Sequence, residues 1–391
     1  MRVLQVDPNA NTPPYDRALC AALAAAGCQV TLLTSRFLYE ELPQPSDFHL
    51  DERFFRVAGS EAAARLGLTR RPPARRLLKA VEYPLNWLLA LASMRRSRPD
   101  VVHVQWSVQP ALDLLVWRTL RRWGVPLVYT VHNLLPHHQR PGDRKRYDRL
   151  YRAADALVVH SERSAAALRE DWGIPPERVT VTPMGPMLAG WTALPRAEAR
   201  RQLGLPADAE LVLFAGLIEP YKGLADLIVA FGAVARRRPH ARLVIAGKPN
   251  EGFAGYARLL AEQGVADRTV CDLQFLPEPR LAAYLCAADV VVLPYRSATS
   301  SAMLLAARRF GCPLVATRVG DLPEVVRDGE SGLLVPPADP PALGTAIERL
   351  LLDPSLAARL GATGAAADAG PEHWAEAARR TRALYERLAR R

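Results

Sequence analysis

Short, continuous runs of apolar residues alternate with helical patterns through both halves of this 391-residue chain. Such runs are typical of parallel strands that are covered by helices on both faces. In the first half, strands are predicted at residues 3–6, 29–34, 100–104, 127–131, 156–160 and 179–182. In the second half, they are predicted at residues 211–214, 243–246, 290–294, 314–316 and 332–335. The sequence therefore predicts two α/β, doubly wound domains in tandem, with the carboxyl ends of their strands facing each other across a cleft.

A stretch rich in proline and glycine, residues 183–194, is predicted to be the linker. It divides the chain into an N-terminal domain, residues 1–186, and a C-terminal domain, residues 187–370. Residues 372–391 read as an amphipathic helix that caps either domain. Residues 1–9 predict a strand rather than a signal peptide, and no apolar run reaches the roughly 20 residues of a spanning helix.

The net charge and the cysteines limit which partners and which cellular compartment suit this protein. The chain has 51 Lys and Arg against 40 Asp and Glu, a formal net charge of +11, which suits nucleic acid, an anionic membrane or phosphate-bearing substrates. No stacking motif or reading helix supports nucleic acid. The five cysteines form no C-x-x-C pair, so we interpret them as small buried residues in a reducing cytoplasm.

Three loops that follow predicted strands carry candidate chemistry. After residues 211–214, a turn from Gly216 to Gly223 carries Glu219, Tyr221 and Lys222, which would give a diphosphate a cation and free backbone N–H groups. A surface lysine after an ordinary turn is the alternative. His132 directly follows another predicted strand, and it has either a structural role or a role in the site.

The third loop enters a helix through hydroxyl-bearing residues. Arg296, Thr299, Ser300 and Ser301 follow the predicted strand at residues 290–294. Their hydroxyls and the first-turn N–H groups either bind phosphate or simply cap the helix.

Together these residues resemble the family-4 glycosyltransferases, which have the GT-B fold of two Rossmann-like domains. The resemblance spans nearly the whole chain. It rests on the Gly216–Lys222 turn, His132, the run at residues 287–294 and, most specifically, the run at residues 320–336.

The resemblance implies a hexosyltransferase that moves a sugar from a UDP-, GDP- or ADP-sugar to a glycan, lipid-linked or small-molecule acceptor. It assigns Lys222 to the donor diphosphate, His132 to the donor sugar, and the backbone around Phe275, Leu276 and Pro277 to the base. Glu324 would mostly hold loops near the donor. It also implies retention of configuration, acceptor binding by the first domain, and a final helix, residues 371–391, that packs back on that domain.

This chain departs from the family pattern in three features: an arginine, a pair of glutamates and a glycine loop. Leu217 replaces the arginine after the first glycine, and Ala298 and Ala306 stand where the family has two glutamates. The Gly-Gly phosphate loop after the first strand is also absent. These departures suit either lost activity or an altered donor site, and we favour the altered site because hydroxyls and amides replace the lost groups.

On the acceptor side, Asn9, Asn11, Tyr15 and Asp16 follow the first strand, and either contact sugar hydroxyls or make a turn. Residues 65–98 combine nine basic residues with Glu82 alone and a central apolar stretch. That segment is either a core-facing helix or a helix that lies on an anionic membrane, which would make the protein peripheral on the inner face.

The chemistry needs no resident cofactor or metal, because no Asp-x-Asp motif and no His/Cys cluster with ligand spacing is present. A cation and preorganised N–H groups would stabilise the charge on the leaving diphosphate. Two rival functions share the fold: a nucleotide-sugar epimerase, and a non-catalytic protein that binds nucleotide sugars.

Overall fold

The computed structural model describes residues 1–60, 72–136, 139–185, 188, 190–368 and 372–390. The chain forms two compact units, Met1–Gly185 with Pro371–Arg391, and Pro186–Gly370. Three arginines of the basic segment, Arg65, Arg70 and Arg71, lie outside the described residues, as do parts of the predicted linker.

The first unit contains a parallel seven-stranded sheet. Its strands are β1 (Arg2–Asp7), β2 (Gln29–Ser35), β3 (His49–Phe54), β4 (Val101–Val104), β5 (Leu127–Thr130), β6 (Ala156–Val159) and β7 (Val179–Val181). The order is β3-β2-β1-β4-β5-β6-β7, so it reverses between β1 and β4. Strand β3 was missed in the sequence because three of its six residues, HLDERF, are charged and only Phe54 is buried.

Helices cover this sheet, and the last helix of the chain joins them. The first five are α1 (Pro13–Ala25), α2 (Pro72–Ser97), α3 (Pro110–Arg122), α4 (Asp143–Ala153) and α5 (Glu162–Glu170). The C-terminal helix, Glu372–Ala389, lies against α1. Its Tyr385 hydroxyl accepts a hydrogen bond of 2.8 Å from the Gln5 amide in β1.

The second unit repeats the scheme with a parallel six-stranded sheet. Its strands are β8 (Glu210–Ala215), β9 (Ala241–Ala246), β10 (Thr269–Asp272), β11 (Val290–Leu293), β12 (Leu314–Thr317) and β13 (Leu333–Val335). The order is β10-β9-β8-β11-β12-β13. The reversal therefore falls between β8 and β11, and ligands of such sheets bind at the carboxyl ends of the strands that flank this point.

Helices pack on both faces of the second sheet as well. They are α6 (Arg196–Leu203), α7 (Leu224–Arg237), α8 (Ala254–Glu262), α9 (Glu278–Ala287), α10 (Ala302–Arg309), α11 (Leu322–Val325), α12 (Pro340–Leu352) and α13 (Pro354–Asp368), with the C-terminal helix as α14. Along β8, Val212 and Phe214 enter one apolar core, and Leu213 and Ala215 enter the other. Residues 211–215 of β8 are continuously apolar because both faces of the strand are buried. The two parallel sheets, each covered by helices, confirm the prediction of two doubly wound α/β domains.

Candidate functional site

The turn after β8 is built on two glycines. Gly216 has a φ of +104° and Gly223 has a φ of +67°. Residues other than glycine rarely adopt these backbone conformations. A Cβ atom on Gly223 would lie 1.9 Å from the carbonyl oxygen of Pro294, the residue after β11. The turns at the two central strands of the second unit are therefore in direct backbone contact.

Lys222 ends the short 3₁₀ turn Pro220–Lys222, and its ammonium lies over the carboxyl end of β8. Its Nζ is 5.8 Å from the centroid of the Tyr295 ring, and a Cβ on Gly216 would lie 3.4 Å from it. Burial lowers the pKa of Lys222 to about 8, although nearby Glu219 acts in the opposite direction. Across the described ranges, no residue forms a hydrogen bond or an ion pair with this Nζ. A half-buried cation without a carboxylate partner is typical of an anion-binding site.

The residues around Lys222 hold the turn in place. The Glu219 carboxylate accepts a hydrogen bond from the Asn250 side chain, which follows β9. The Tyr221 carbonyl oxygen accepts a 2.7 Å hydrogen bond from the Arg296 N–H. The rings of Tyr221 and Tyr295 meet edge to face, with centroids 6.4 Å apart. Glu219, Tyr221 and Arg296 thus join three loops at one end of the sheet.

The Arg296 guanidinium is engaged by a carboxylate of the protein. Its Nε and Nη2 each donate a 2.7 Å hydrogen bond to Asp226, in the first turn of α7. That hydrogen bonding raises the pKa of Arg296. In this arrangement Arg296 ties the loop after β11 to α7.

The loop after β11 leads into α10 through Thr299, Ser300 and Ser301. The Ser301 hydroxyl caps the helix by accepting a 3.1 Å hydrogen bond from the Leu304 N–H. The Thr299 carbonyl oxygen accepts a 2.9 Å hydrogen bond from the Asp321 N–H, which follows β12. The capping role that the sequence offered as an alternative is therefore present, and it leaves the other first-turn N–H groups of α10 at the carboxyl end of β11.

The positions of the two missing glutamates differ from each other. Ala298 is partly buried in the loop after β11, whereas Ala306 is 2% exposed within the apolar core beneath α10. Glu324 is exposed in α11, and its N–H donates to the Asp321 carbonyl oxygen. Phe275, Leu276 and Pro277 link β10 to α9, with Leu276 buried.

In the first unit, His132 lies in an aromatic cluster at the carboxyl ends of the strands. Its ring stacks on Trp106, with centroids 4.7 Å apart and planes 8° apart. Tyr15 lies edge-on at 5.0 Å, and His160 lies at 5.3 Å. Tyr15 in turn contacts Trp374 of α14, with centroids 5.4 Å apart.

A chain of hydrogen bonds determines which ring nitrogen of His132 carries the proton. The Gln105 amide nitrogen donates to Gln5, so the Gln105 carbonyl oxygen is left to accept. It lies 3.2 Å from His132 Nε2, which must therefore carry the proton. Burial, with His160 and His103 nearby, lowers the pKa of His132 well below its usual value. His132 is consequently a neutral imidazole.

The residues after β1 are organised by a buried carboxylate. Asp7 accepts hydrogen bonds from the backbone N–H groups of Asn9, Asn11 and Thr12. The Asn9 side-chain amide nitrogen donates to the side-chain oxygen of Asn11 at 3.1 Å, and the Lys79 ammonium donates to the side-chain oxygen of Asn9. The two asparagines therefore lie together at the carboxyl end of β1.

Tyr15 and Asp16 lie in the first turn of α1 and are both buried. Burial, with Asp7 alongside, raises the pKa of Asp16 well above its usual value. The environment of Asp16 thus disfavours its charged form, and Tyr15 is part of the aromatic cluster.

Four residues of this cluster were missed in the sequence: Gln105, Trp106, His160 and Trp374. The first two directly follow β4, and His160 directly follows β6. The position rule that selected His132 would therefore also have selected these three. Trp374 comes from a distant part of the chain and carries no such signal.

The described residues contain neither a metal-binding cluster nor a helix that could span a membrane. No group of three or more His, Cys, Asp and Glu residues among them is arranged to hold a metal ion. None of the described helices combines the length and apolar character that crossing a membrane requires.

Two Rossmann-like units, the second of which holds the Lys222 ammonium at the carboxyl end of β8, are the arrangement of the GT-B glycosyltransferases. Residues 14–185 match the family described as "Glycosyl transferase 4-like domain". Residues 209–353 match "Glycosyl transferases group 1". The chain therefore belongs to the family-4, group 1 glycosyltransferases, and is a hexosyltransferase that uses a nucleotide-sugar donor.

Curated relatives carry the same kind of name. A D-inositol 3-phosphate glycosyltransferase of Thermobispora bispora is 35% identical over 306 residues, covering 74% of this chain and 70% of the relative. The protein of that name from Pseudarthrobacter chlorophenolicus is 31% identical over 367 residues, covering 90% of this chain and 84% of the relative.

Solved structures share the fold at low identity. Sucrose-phosphate synthase from Thermosynechococcus elongatus superposes with a TM-score of 0.77 at 23% identity, covering 99% of both chains. Anabaena HepE in complex with UDP-glucose superposes with a TM-score of 0.70 at 17% identity, covering 100% of both chains.

Proposed function

We propose that the second unit binds the diphosphate of a UDP-, GDP- or ADP-sugar against Lys222 and the first-turn N–H groups of α10. The observation that carries this proposal is the half-buried ammonium of Lys222, which has no hydrogen-bond or ion-pair partner among the residues that the structure describes. Gly216, Thr299, Ser300 and Ser301 would surround the phosphates, because they lie on the loops of the two central strands. Such loops are where ligands of doubly wound sheets bind.

Other residues would support the phosphate site or contact the base of the donor. Glu219, Tyr221 and Arg296 hold the loops that present Lys222, and Glu324 supports the neighbouring loop after β12. The backbone of Phe275, Leu276 and Pro277 would receive the base. Ala306 is buried, so a partner for the ribose hydroxyls must come from another residue than the one that the family pattern uses.

Transfer would rely on electrostatic stabilisation of the leaving diphosphate. Negative charge grows on the phosphates as the glycosidic bond breaks, and a fixed ammonium with oriented N–H groups stabilises it without reorganisation. His132, as a neutral imidazole, would contact the donor sugar by hydrogen bonding rather than by charge. We propose that the reaction retains configuration and needs no metal ion.

We assign the acceptor to the first unit, near Asn9, Asn11 and Tyr15. The paired asparagine amides offer hydrogen-bond donors and acceptors for hydroxyl groups, and Tyr15 and Trp106 offer aromatic faces. Asp16 would support this loop from inside the unit. The relatives named D-inositol 3-phosphate glycosyltransferases favour a small, hydroxyl-bearing acceptor.

A screen of candidate donors tests the donor proposal. Thermal unfolding should be measured with UDP-, GDP- and ADP-sugars, where a bound donor at 100 times its Kd stabilises by about 2.7 kcal/mol. Product analysis with the stabilising donor then separates transfer from binding alone. Stabilisation without hydrolysis or transfer, over a panel of acceptors, would favour the non-catalytic alternative that Ala298 and Ala306 suggest. No stabilisation by any of the three donors would overturn the proposal.

A further inference from the structure

Helix α2 exposes a stripe of large apolar side chains along one face. Leu77, Val81, Leu85, Leu88 and Leu89 are 54–69% exposed. The opposite face is buried, with Tyr83, Trp87, Ala90 and Met94 in the core of the first unit. Their spacing of three and four residues places the exposed side chains on one side of the helix over about 18 Å. An apolar surface of this extent is uncommon on a soluble protein and marks an interaction site.

The exposed charges of α2 that flank the stripe are of one sign. Arg76 stands at one end of it, and Arg95 and Arg96 stand at the other, all exposed. The guanidinium of Arg95 also lies over the exposed ring of Trp123, 5.9 Å from its centroid. The one acid of α2, Glu82, is buried and accepts hydrogen bonds from the Val57 and Ala58 N–H groups. No carboxylate of α2 therefore opposes the arginines at the surface.

We propose that this leucine stripe docks the first unit on an anionic lipid surface, with α2 lying in the plane of the interface. Apolar side chains between basic ends, with a tryptophan at the rim, are the features of interfacial helices. A second copy of the chain fits less well. Parallel or antiparallel pairing of two stripes would bring the arginines of one copy against those of the other.

Docking through α2 would also orient the proposed acceptor site, and this step rests on the proposed function. Lys79, on the side of α2 turned away from the stripe, donates to Asn9 in the loop after β1. A helix that lies on the surface would thus hold this loop about one helix diameter, roughly 10 Å, from the lipid.

Vesicle flotation tests the docking with the full-length chain. Wild-type protein should float with vesicles of phosphatidylcholine and phosphatidylglycerol, far less with phosphatidylcholine alone, and less at high salt. L85N/L88N should weaken binding to the anionic vesicles at least tenfold, and R95Q/R96Q should weaken it several-fold. The matched controls are L352N, which changes an exposed leucine of the second unit, and R236Q/R258Q, which removes two exposed arginines there.

Two outcomes would overturn the docking proposal. One is equal binding by wild-type protein and L85N/L88N. The other is a wild-type dimer in sedimentation that L85N/L88N dissociates, without vesicle binding, which would assign the stripe to a second copy. Thermal stabilisation by the sugar nucleotide, measured on the same L85N/L88N sample, reports folding and donor binding independently of docking.

Discussion

Gly223 and Pro294 are in backbone contact at the carboxyl ends of β8 and β11, since a Cβ on Gly223 would lie 1.9 Å from the Pro294 carbonyl oxygen. This contact joins the turn that carries Lys222 to the loop that leads into α10. The proposed diphosphate site therefore depends on a glycine that contributes no side chain.

Gly223→Ala should be strongly destabilising for two reasons. The new Cβ would clash with the Pro294 carbonyl oxygen, and an alanine is strained at the positive φ of this position. Gly204→Ala is the matched control: Gly204 has a φ of +64° in the same unit, and a Cβ there meets no atom within 4 Å. We expect a loss of about 1–2 kcal/mol for Gly204→Ala from backbone strain alone and about 2–5 kcal/mol for Gly223→Ala. Denaturant unfolding measures both, and equal losses would contradict the close approach.

Restoring the glutamate of the family pattern at residue 306 should harm this protein. Ala306 is buried in an apolar core, so Ala306→Glu would place a carboxylate there without a partner, at a cost of about 3 kcal/mol or more. Ala298→Glu, in the partly buried loop, should cost less than about 1 kcal/mol. Thermal melts of the two variants compare them. A stable Ala306→Glu variant with improved donor binding would show that the site still accepts the family's ribose contact.

The buried histidines of the first unit predict a loss of stability in mild acid. Burial lowers the pKa of His103 to about 3 and that of His160 to about 4. A histidine with a lowered pKa in the folded state binds fewer protons there than in the unfolded chain. Its contribution to stability is therefore complete above about pH 6.5 and falls by up to about 1.4 kcal/mol per pH unit below it.

The comparison of wild-type protein with His160→Phe isolates this effect, because Asp16 has a raised pKa and changes stability with the opposite sign. Hydrogen exchange of the β5 and β6 amides between pH 7 and pH 5.5 is the measurement. The variant should lose less protection than the wild type over that range. The same pH dependence in both proteins would mean that the pKa of His160 is not lowered in the folded state.

Much of this architecture was predictable because buried parallel strands are continuously apolar. The missed strands β3 and β10 are edge strands with partly exposed residues, so this signal is absent from them. Because functional loops follow the carboxyl ends of such strands, the same apolar signal also led to Lys222 and His132. The pairing of Arg296 with Asp226, 70 residues away, has no counterpart in local sequence. The contact of Tyr15 with Trp374 depends on the path of the last helix and was equally invisible.

The pH dependence of donor binding follows from the Lys222 ammonium. Its pKa of about 8 means that the free protein loses this charge in mild alkali. A diphosphate favours the charged form of Lys222, so affinity should change little between pH 7 and pH 7.5 and fall as the pH rises above 8. Calorimetric titration with the nucleoside diphosphate of the stabilising donor, between pH 7 and pH 9.5, should show this decline in the wild type.

The most direct test of the account is the same titration with Lys222→Met at pH 7. Lys145→Met is the control, because Lys145 is exposed on α4 of the first unit and should bind as the wild type does. The account predicts that Lys222→Met weakens nucleoside diphosphate binding tenfold or more, loses the decline above pH 8, and lowers turnover of the sugar nucleotide by about 10²-fold. Binding and turnover equal to those of Lys145→Met would contradict the assignment of the diphosphate to Lys222.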